Sequence, residues 1–293
     1  MCIRDRFDLY PGLAVRVKDT KGELPAAFEA AAPDLFTLAE TVDDQALRDL
    51  VDALRRHPQD YARWISAAGE TLGPRTARRL LDSLDASARK TPAGRNLLRR
   101  LADKAEDLDL WLSLVTPEQA GSPDIAADIA RRLLAAGHVA EARAALEAAL
   151  SPSSLNRRWT FGHNPKDGAP RLTPAWEAAS IDVLEAEGGR QEAQDLRWAL
   201  FERDLSAPVL RDYLSRLPDF DDVEALDRAF AHASGHPDFE AAMRLLMDWP
   251  AQREAAALVL ARPREARHAG GRTPDWASRL AQRFPEAAEI LTG

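Results

Sequence analysis

Carboxylates are concentrated at one point of the chain, and they are side chains that could hold a metal ion. Asp219, Asp221, Asp222 and Glu224 fall within six residues, and hard cations prefer carboxylate oxygens. The spacing and the glycine of a calcium-binding hand are absent. The same density is typical of a helix N-terminus, where carboxylates accept free N–H groups and meet the positive end of the dipole. We therefore expect these residues to begin a helix.

Two histidines follow, His232 and His236, four residues apart. On a helix this spacing turns both imidazoles to one face, but two ligands leave a zinc site incomplete. Both lie at a predicted helix C-terminus, where an imidazole is favourable without any ligand. We expect no metal and no cofactor, and we assign no residue to bind either.

Motifs for nucleophilic catalysis are weak in this sequence. Ser87 and Lys90 match Ser-x-x-Lys, yet the companion motifs of that chemistry are absent. There is no phosphate-binding glycine loop, no Gly-x-Ser-x-Gly and no His-Glu-x-x-His. We therefore predict no catalytic residue and no catalytic activity, and an enzyme built on scattered carboxylates is an alternative.

Basic side chains gather upstream of the carboxylates. Residues 71–105 contain nine basic and three acidic side chains, a net charge of +6, whereas residues 176–240 contain six basic and sixteen acidic ones, a net charge of −10. Arg99 and Arg100 are the candidate partner-binding residues of the basic segment. A basic face at 75–104 could take an acidic partner or RNA, although no base-stacking aromatics interleave with its arginines. Solvated faces and local ion pairs are the simpler interpretation.

An irregular segment, residues 151–172, interrupts the regular pattern of the chain. Long loops on a helical scaffold often carry contacts, and arginine and tryptophan are favoured at interface hot spots. The candidate partner-binding residues of this segment are Arg157, Arg158, Trp159, Phe161 and His163. The alternative is that Trp159 and Phe161 fold back and plug the helical stack.

The segments that contain these residues have a helical pattern. From Pro33 onward, apolar residues recur at helical spacing, and prolines stand at the start of nearly every segment. The pattern Leu-x3-Gly-x3-Glu-Ala occurs twice, around Gly137 and Gly188, at an offset of 51 residues. A connection this short forces two helices to lie antiparallel, so each glycine should close a helical hairpin. Near the beginning, Leu13, Val15 and Val17 alternate and could form a short strand.

The fold class follows from this pattern. We predict an all-α protein of about fourteen helices, arranged as stacked antiparallel hairpins in an α-solenoid or TPR-like superhelix. We divide it into a leader that is artefactual or poorly ordered (1–22), an N-terminal helical array (23–116), a TPR-like core with the insert 151–172 (117–262), and a loop with a truncated helical pair (263–293). The first six residues, MCIRDR, resemble a translated sequencing adapter, so we expect the chain to be a metagenomic fragment.

Composition limits the partners and the compartment. With 45% apolar and 29% charged residues, the chain is not disordered by composition. A net charge of −8 makes the whole molecule a poor general binder of nucleic acid or anionic membrane, and no apolar run approaches the roughly 20 residues that span a bilayer. The single cysteine, Cys2, cannot form an internal disulfide. We expect a cytoplasmic protein that binds neither nucleic acid nor membrane.

Several segments of the sequence are distinctive enough to compare with known families. The most specific are RWALFERDLS at 197–206 and LPDFDDVEA at 217–225, and HPDFEAAMRLLMDWP follows at 236–250. Together with the hairpin sequence AADIARRLLAAGHVAEARAALEAA at 126–149, they resemble an uncharacterised bacterial all-helical family of unknown function. The resemblance spans Asp43 to Arg262. It implies a build similar to tetratricopeptide-type repeats and transfers no catalytic residue, because the family has no assigned reaction.

The hairpin pattern and the missing catalytic motifs favour one function. We expect a helical-repeat scaffold that binds another protein or peptide. The alternatives are a nucleic-acid-associated helical module that uses the basic face at 75–104, and an unrecognised enzyme.

Overall fold

The computed structural model describes residues 7, 9–41, 44–84, 86–150 and 172–293. Every regular element in these residues is a helix, and they contain no strand, so the predicted all-α class is confirmed. The chain divides into two compact units, residues 1–176 and 177–293. The four-part division of the sequence stays a prediction, as does the superhelical arrangement.

The first unit contains ten α-helices in its described residues. Proline is the first residue of five of them, where its missing N–H removes no helical hydrogen bond. The helices are α1 (Tyr10–Arg16), α2 (Glu23–Thr41), α3 (Asp44–Arg56), α4 (Pro58–Ala67), α5 (Pro74–Ser83), α6 (Pro92–Lys104), α7 (Leu108–Ser113), α8 (Pro117–Ala120), α9 (Pro123–Ala135) and α10 (Val139–Ala148). Two 3₁₀ turns, Gly69–Thr71 and Ala86–Lys90, lie on either side of α5.

An aromatic cluster anchors the core of the first unit. The Trp64 ring on α4 meets the edges of Phe7 at 4.7 Å and Tyr10 at 5.3 Å, and it stacks on Phe28 of α2 at 5.9 Å. Phe7, Tyr10 and Trp64 are all buried. Edge-to-face pairs of this kind add stabilisation beyond their buried area, so they fix α1 against α2 and α4.

The strand expected from the alternation of Leu13, Val15 and Val17 is wrong. Leu13 and Val15 lie in α1, Val17 is its C-cap, and all three side chains are exposed. The buried residues of this segment are Phe7 and Tyr10, three positions apart, which is helical spacing. Alternation over only three residues is therefore weak evidence for a strand, and the segment instead forms a helix, with core contacts made by Phe7 and Tyr10.

The second unit contains α11 to α19, and the boundary between the units falls within α11. Its core includes Phe201, Leu210, Met243, Leu246 and Leu280, each fully buried. The helices are α11 (Pro174–Ala186), α12 (Arg190–Asp204), α13 (Ala207–Leu214), α14 (Asp221–Gly235), α15 (Phe239–Asp248), α16 (Gln252–Ala261), α17 (Pro263–His268), α18 (Thr273–Leu280) and α19 (Pro285–Thr292).

The two predicted glycine turns have the same geometry. Gly137 and Gly188 both take a left-handed conformation, with φ of 82° and 84°, which glycine adopts without steric cost. In each turn the next residue closes a six-residue loop: His138 N–H donates to the Leu133 carbonyl at 2.8 Å, and Gly189 N–H donates to the Leu184 carbonyl at 2.9 Å. This is the Schellman pattern of a helix C-terminus, and it separates α9 from α10 and α11 from α12.

The described residues form nineteen α-helices rather than about fourteen. The difference comes from short elements such as α7, α8 and α17, which have four to six residues. Such elements show too few turns for a 3.6-residue period to be read from sequence. No helix of the described part of the chain combines the length and apolar character that a membrane span needs.

Candidate functional site

Arg99 and Arg100 lie on α6, at the rim of a cleft formed within the first unit by α6, α7 and α9. The cleft has a volume of about 90 Å³. Helical spacing explains its composition, because the α6 residues stand at i, i+3, i+4 and i+7 and the α9 residues at i, i+3 and i+7. The lining residues are Asn96, Arg99, Arg100, Asp103, Trp111, Ile125, Asp128 and Arg132.

Trp111 forms the apolar wall of this cleft and is 4% exposed. The cap of α7 positions it: the Asp107 carboxylate accepts from Leu110 N–H at 2.9 Å, and Trp111 N–H donates to the Asp107 carbonyl at 3.0 Å. The guanidinium carbon of Arg132 lies 4.1 Å from the indole centroid, and that of Arg99 lies 5.7 Å away. Because the ring is buried and Arg132 lies against it, it is not open for stacking a nucleic-acid base.

Arg132 holds the carboxylates of the cleft. Its Nε and Nη2 donate to the two oxygens of Asp103 at 2.8 and 3.0 Å, a bidentate geometry that is stronger than a single charged hydrogen bond. Asp128 lies 3.7 Å from Arg132 and 3.5 Å from Arg131. The two acidic groups of the cleft are thus engaged by Arg131 and Arg132.

Arg99 and Arg100 differ from Arg131 and Arg132 in their ion pairing. Among the described residues, neither guanidinium has a carboxylate oxygen within 4.0 Å, and neither donates a hydrogen bond. Arg99 is half-buried and Arg100 is exposed. Burial, followed by the charge of Arg100, lowers the pKa of Arg99, and Asp128 opposes this effect. The cleft therefore contains a partly desolvated cation whose charge is incompletely balanced.

The other candidate partner-binding residues cannot be placed. Arg157, Arg158, Trp159, Phe161 and His163 lie outside the described residues. Whether they form a contact surface or plug the helical stack stays a prediction.

The acidic cluster begins a helix, as expected. Asp221, Asp222 and Glu224 lie in the first turn of α14, where they meet the positive end of the helix dipole. The N-cap is Phe220, which has a φ of 75° and makes no side-chain capping bond. Its ring is 86% exposed, and Val223 one turn later is 60% exposed. Sequence reasoning considered the carboxylates and overlooked these apolar neighbours.

His232 and His236 lie within the second unit with ring centroids 6.1 Å apart. His232 Nε2 is 2.9 Å from the Glu202 carbonyl oxygen, and His236 Nδ1 accepts from Asp238 N–H at 3.1 Å. Each imidazole thus contacts the backbone. In the described part of the chain, no three His, Cys, Asp or Glu side chains are grouped so that they could hold a metal ion.

Comparison with known families gives a match that covers most of the chain. The model of DUF6880, described as a family of unknown function, matches residues 45–292. The chain belongs to this family. No match was found among the curated proteins or among the solved structures. The expected membership of an uncharacterised all-helical family is confirmed, and both the cleft and the carboxylates at the start of α14 lie inside the matched DUF6880 region.

A second cluster in this DUF6880 chain was missed by sequence reasoning. Arg197 of α12 has a side chain that is 1% exposed, and it donates to Glu185 at 2.7 Å and to Asp212 at 2.5 Å. Arg216 donates to the same two carboxylates. Gln194 also accepts from Arg197, at 3.2 Å. The four charges form a closed ring of alternating sign, with the hydrogen bonding that a buried charge requires.

The ring of Glu185, Arg197, Asp212 and Arg216 holds helices of the second unit together. Each of its charges is matched, and it joins α11, α12 and α13. A further ion pair joins Arg203, near the end of α12, to Glu177 near the start of α11 at 2.7 Å. The two pairs together require α11 and α12 to run antiparallel, which is what the predicted hairpin requires.

Proposed function

We propose that this chain is a helical scaffold that binds another protein and catalyses no reaction. The observation that carries the proposal is the exposure of Phe220 on the second unit. Phe220 strains its backbone at a positive φ, and its 86% exposed ring gains nothing from burial in this fold. A docking partner would supply that burial.

The neighbourhood of Phe220 indicates the chemistry of the partner. Residues 218–224 are all exposed, and this stretch combines Phe220 and Val223 with four carboxylates. We call residues 218–224 the acidic turn. An apolar anchor surrounded by negative charge fits a protein surface with an apolar pocket and a basic rim. The same proposal includes the architecture and the location of the protein. The helical hairpins would stack as an α-solenoid, and the protein would act in the bacterial cytoplasm.

The test compares two variants of the whole chain as bait. Phe220→Asn removes the exposed ring, and Leu260→Gln removes another exposed apolar side chain of the same unit, which is 44% exposed on α16. Proteins captured by the unaltered chain are identified, and their affinities are then measured in purified form. We expect a binding partner whose affinity falls at least tenfold with Phe220→Asn and stays unchanged with Leu260→Gln.

The charge of the acidic turn provides a second measurement on the same partner. Asp221→Asn together with Asp222→Asn should slow association and weaken its dependence on salt. Equal binding by the unaltered chain and Phe220→Asn would refute the proposed surface, and so would association that does not depend on salt.

A further inference from the structure

We propose that the cleft between α6, α7 and α9 binds a small oxyanion, a phosphate or carboxylate group, through Arg99 and Arg100. This site lies in the first unit and does not rest on the acidic turn or on the proposed protein partner. Three features of the cleft support the inference: its charge balance, the contact of Arg99 with Trp111, and its size.

The first feature is the charge balance. Asp103 gives both oxygens to Arg132, and Asp128 lies against Arg131 and Arg132. The lining side chains comprise three arginines and two aspartates, a net charge of +1. Because the aspartates are engaged elsewhere, the charges nearest Arg99 leave it without an adjacent anion, and a bound oxyanion would supply one.

The second feature is the contact of Arg99 with Trp111. The guanidinium carbon lies 5.7 Å from the ring centroid, within the range of a cation–π interaction. A guanidinium held near a buried ring has lost part of its rotamer freedom before any ligand arrives, which lowers the cost of binding. It keeps its five N–H donors, and none of them is used by a described residue.

The third feature is the size of the cleft. A volume of about 90 Å³ is smaller than the cavity of about 150 Å³ that accommodates a benzene molecule in another protein. This space suits a single phosphate or carboxylate group better than a nucleoside or an aromatic ligand. Asn96 adds an amide donor at the wall, and Asp128 adds a charge that opposes an anion.

The experiment titrates the whole chain with sodium phosphate, and separately with sodium acetate, at constant ionic strength. Binding is followed by NMR through the indole N–H resonance of Trp111, which a Trp111→Phe variant assigns. We expect a saturable shift. Arg99→Gln should weaken binding by about tenfold, the loss of one charge-assisted hydrogen bond, and Asp128→Asn should strengthen it because a repelling carboxylate is removed.

The matched control is Arg75→Gln, which removes an exposed arginine of α5 outside the cleft. It should leave the affinity unchanged, and the remaining resonances of each variant report whether the fold is intact. Tighter binding of phosphate than of acetate, or the reverse, identifies the group that the site prefers. The proposal is overturned if no saturable shift occurs at tens of millimolar of either anion, or if Arg75→Gln weakens binding as much as Arg99→Gln does.

Discussion

Arg197 Nη2 donates to Glu185 Oε1 at 2.7 Å, and the arginine of this pair is 1% exposed whereas the glutamate is 32% exposed. The buried cation is thus neutralised by a carboxylate that still reaches water. Asp212, on α13, completes the neutralisation from the other side at 2.5 Å. The second unit therefore depends on a charge that is costly when alone and tolerated because two neighbouring helices supply its partners.

Replacing Arg197 with methionine should destabilise the second unit by about 2 kcal/mol, because the hydrogen bonds from the buried guanidinium to Glu185 and Asp212 are lost, although Arg216 still pairs with both carboxylates. The measurement is urea-induced unfolding of the whole chain, followed by circular dichroism. Arg190→Met is the matched control, since Arg190 is exposed at the start of the same helix; it should change the free energy of unfolding by less than about 0.5 kcal/mol. Equal losses in the two variants would show that the buried ion pairs add nothing.

Acid should weaken the same network. Burial alone would raise the pKa of Glu185 and Asp212, but hydrogen bonds from Arg197 and Arg216 outweigh it, so both pKa values lie below their ordinary range. A lowered pKa in the folded state contributes stability above the unfolded pKa, near 4, and this stability is lost as pH falls through the folded pKa. Unfolding free energies of the unaltered chain and Arg197→Met should therefore converge from pH 6 toward pH 3. Curves that stay parallel would contradict this.

Gly94 should not tolerate a methyl group. A Cβ built there lies 2.1 Å from the Ala88 carbonyl oxygen and 2.9 Å from its carbonyl carbon, so the backbone of the 3₁₀ turn before α6 would have to move. We expect Gly94→Ala to destabilise the first unit by about 1 to 3 kcal/mol, measured by thermal and urea unfolding. At Gly235 a Cβ meets nothing within 4 Å, so Gly235→Ala should be neutral or slightly stabilising. A neutral Gly94→Ala would refute the close approach.

The cap of α7 should show a distinct pH signature. Hydrogen bonding from Leu110 N–H, followed by the ion pair with Arg78, lowers the pKa of Asp107. Asp107→Ala should cost about 1 kcal/mol, whereas Asp107→Asn keeps a capping oxygen and should cost less near pH 7. Because the folded pKa is lowered, the stability difference between the unaltered chain and Asp107→Asn should shrink as pH falls below about 4. Unfolding measured between pH 7 and pH 3 provides the check.

The sequence predicts the features of this fold that are encoded locally. The turns at Gly137 and Gly188 need a residue that accepts positive φ, and their hydrogen bonds stay within six residues. The start of α14 is predictable for the same reason, since Asp221 and its neighbours act on the adjacent helix end. The all-α class follows from many such local patterns.

Features that join distant segments are not predictable in this way. Glu185 and Asp212, the partners of Arg197, lie twelve residues before it and fifteen residues after it, on different helices. An arginine at an inward helical position reads as a break in the apolar pattern until those partners are known. In the cleft, the sequence indicates the basic charge of Arg99 but not that Trp111 lies beneath it.

Replacing Phe220 distinguishes a role of its side chain in docking from a role in packing. Its φ of 75° places a bulky residue in the left-handed region, which asparagine tolerates better. Phe220→Asn should therefore raise the free energy of unfolding by about 0.5 to 1 kcal/mol, because an 86% exposed ring contributes little packing. The measurement is urea-induced unfolding.

Val223→Ser is the matched control for this change, since Val223 is also exposed, at 60%, but lies in α14. It should leave stability within about 0.5 kcal/mol. A side chain retained for packing would lose stability when removed, whereas one retained for docking would lose partner binding and gain stability. A clear loss of stability in Phe220→Asn would therefore remove the main support for a docking role at the acidic turn.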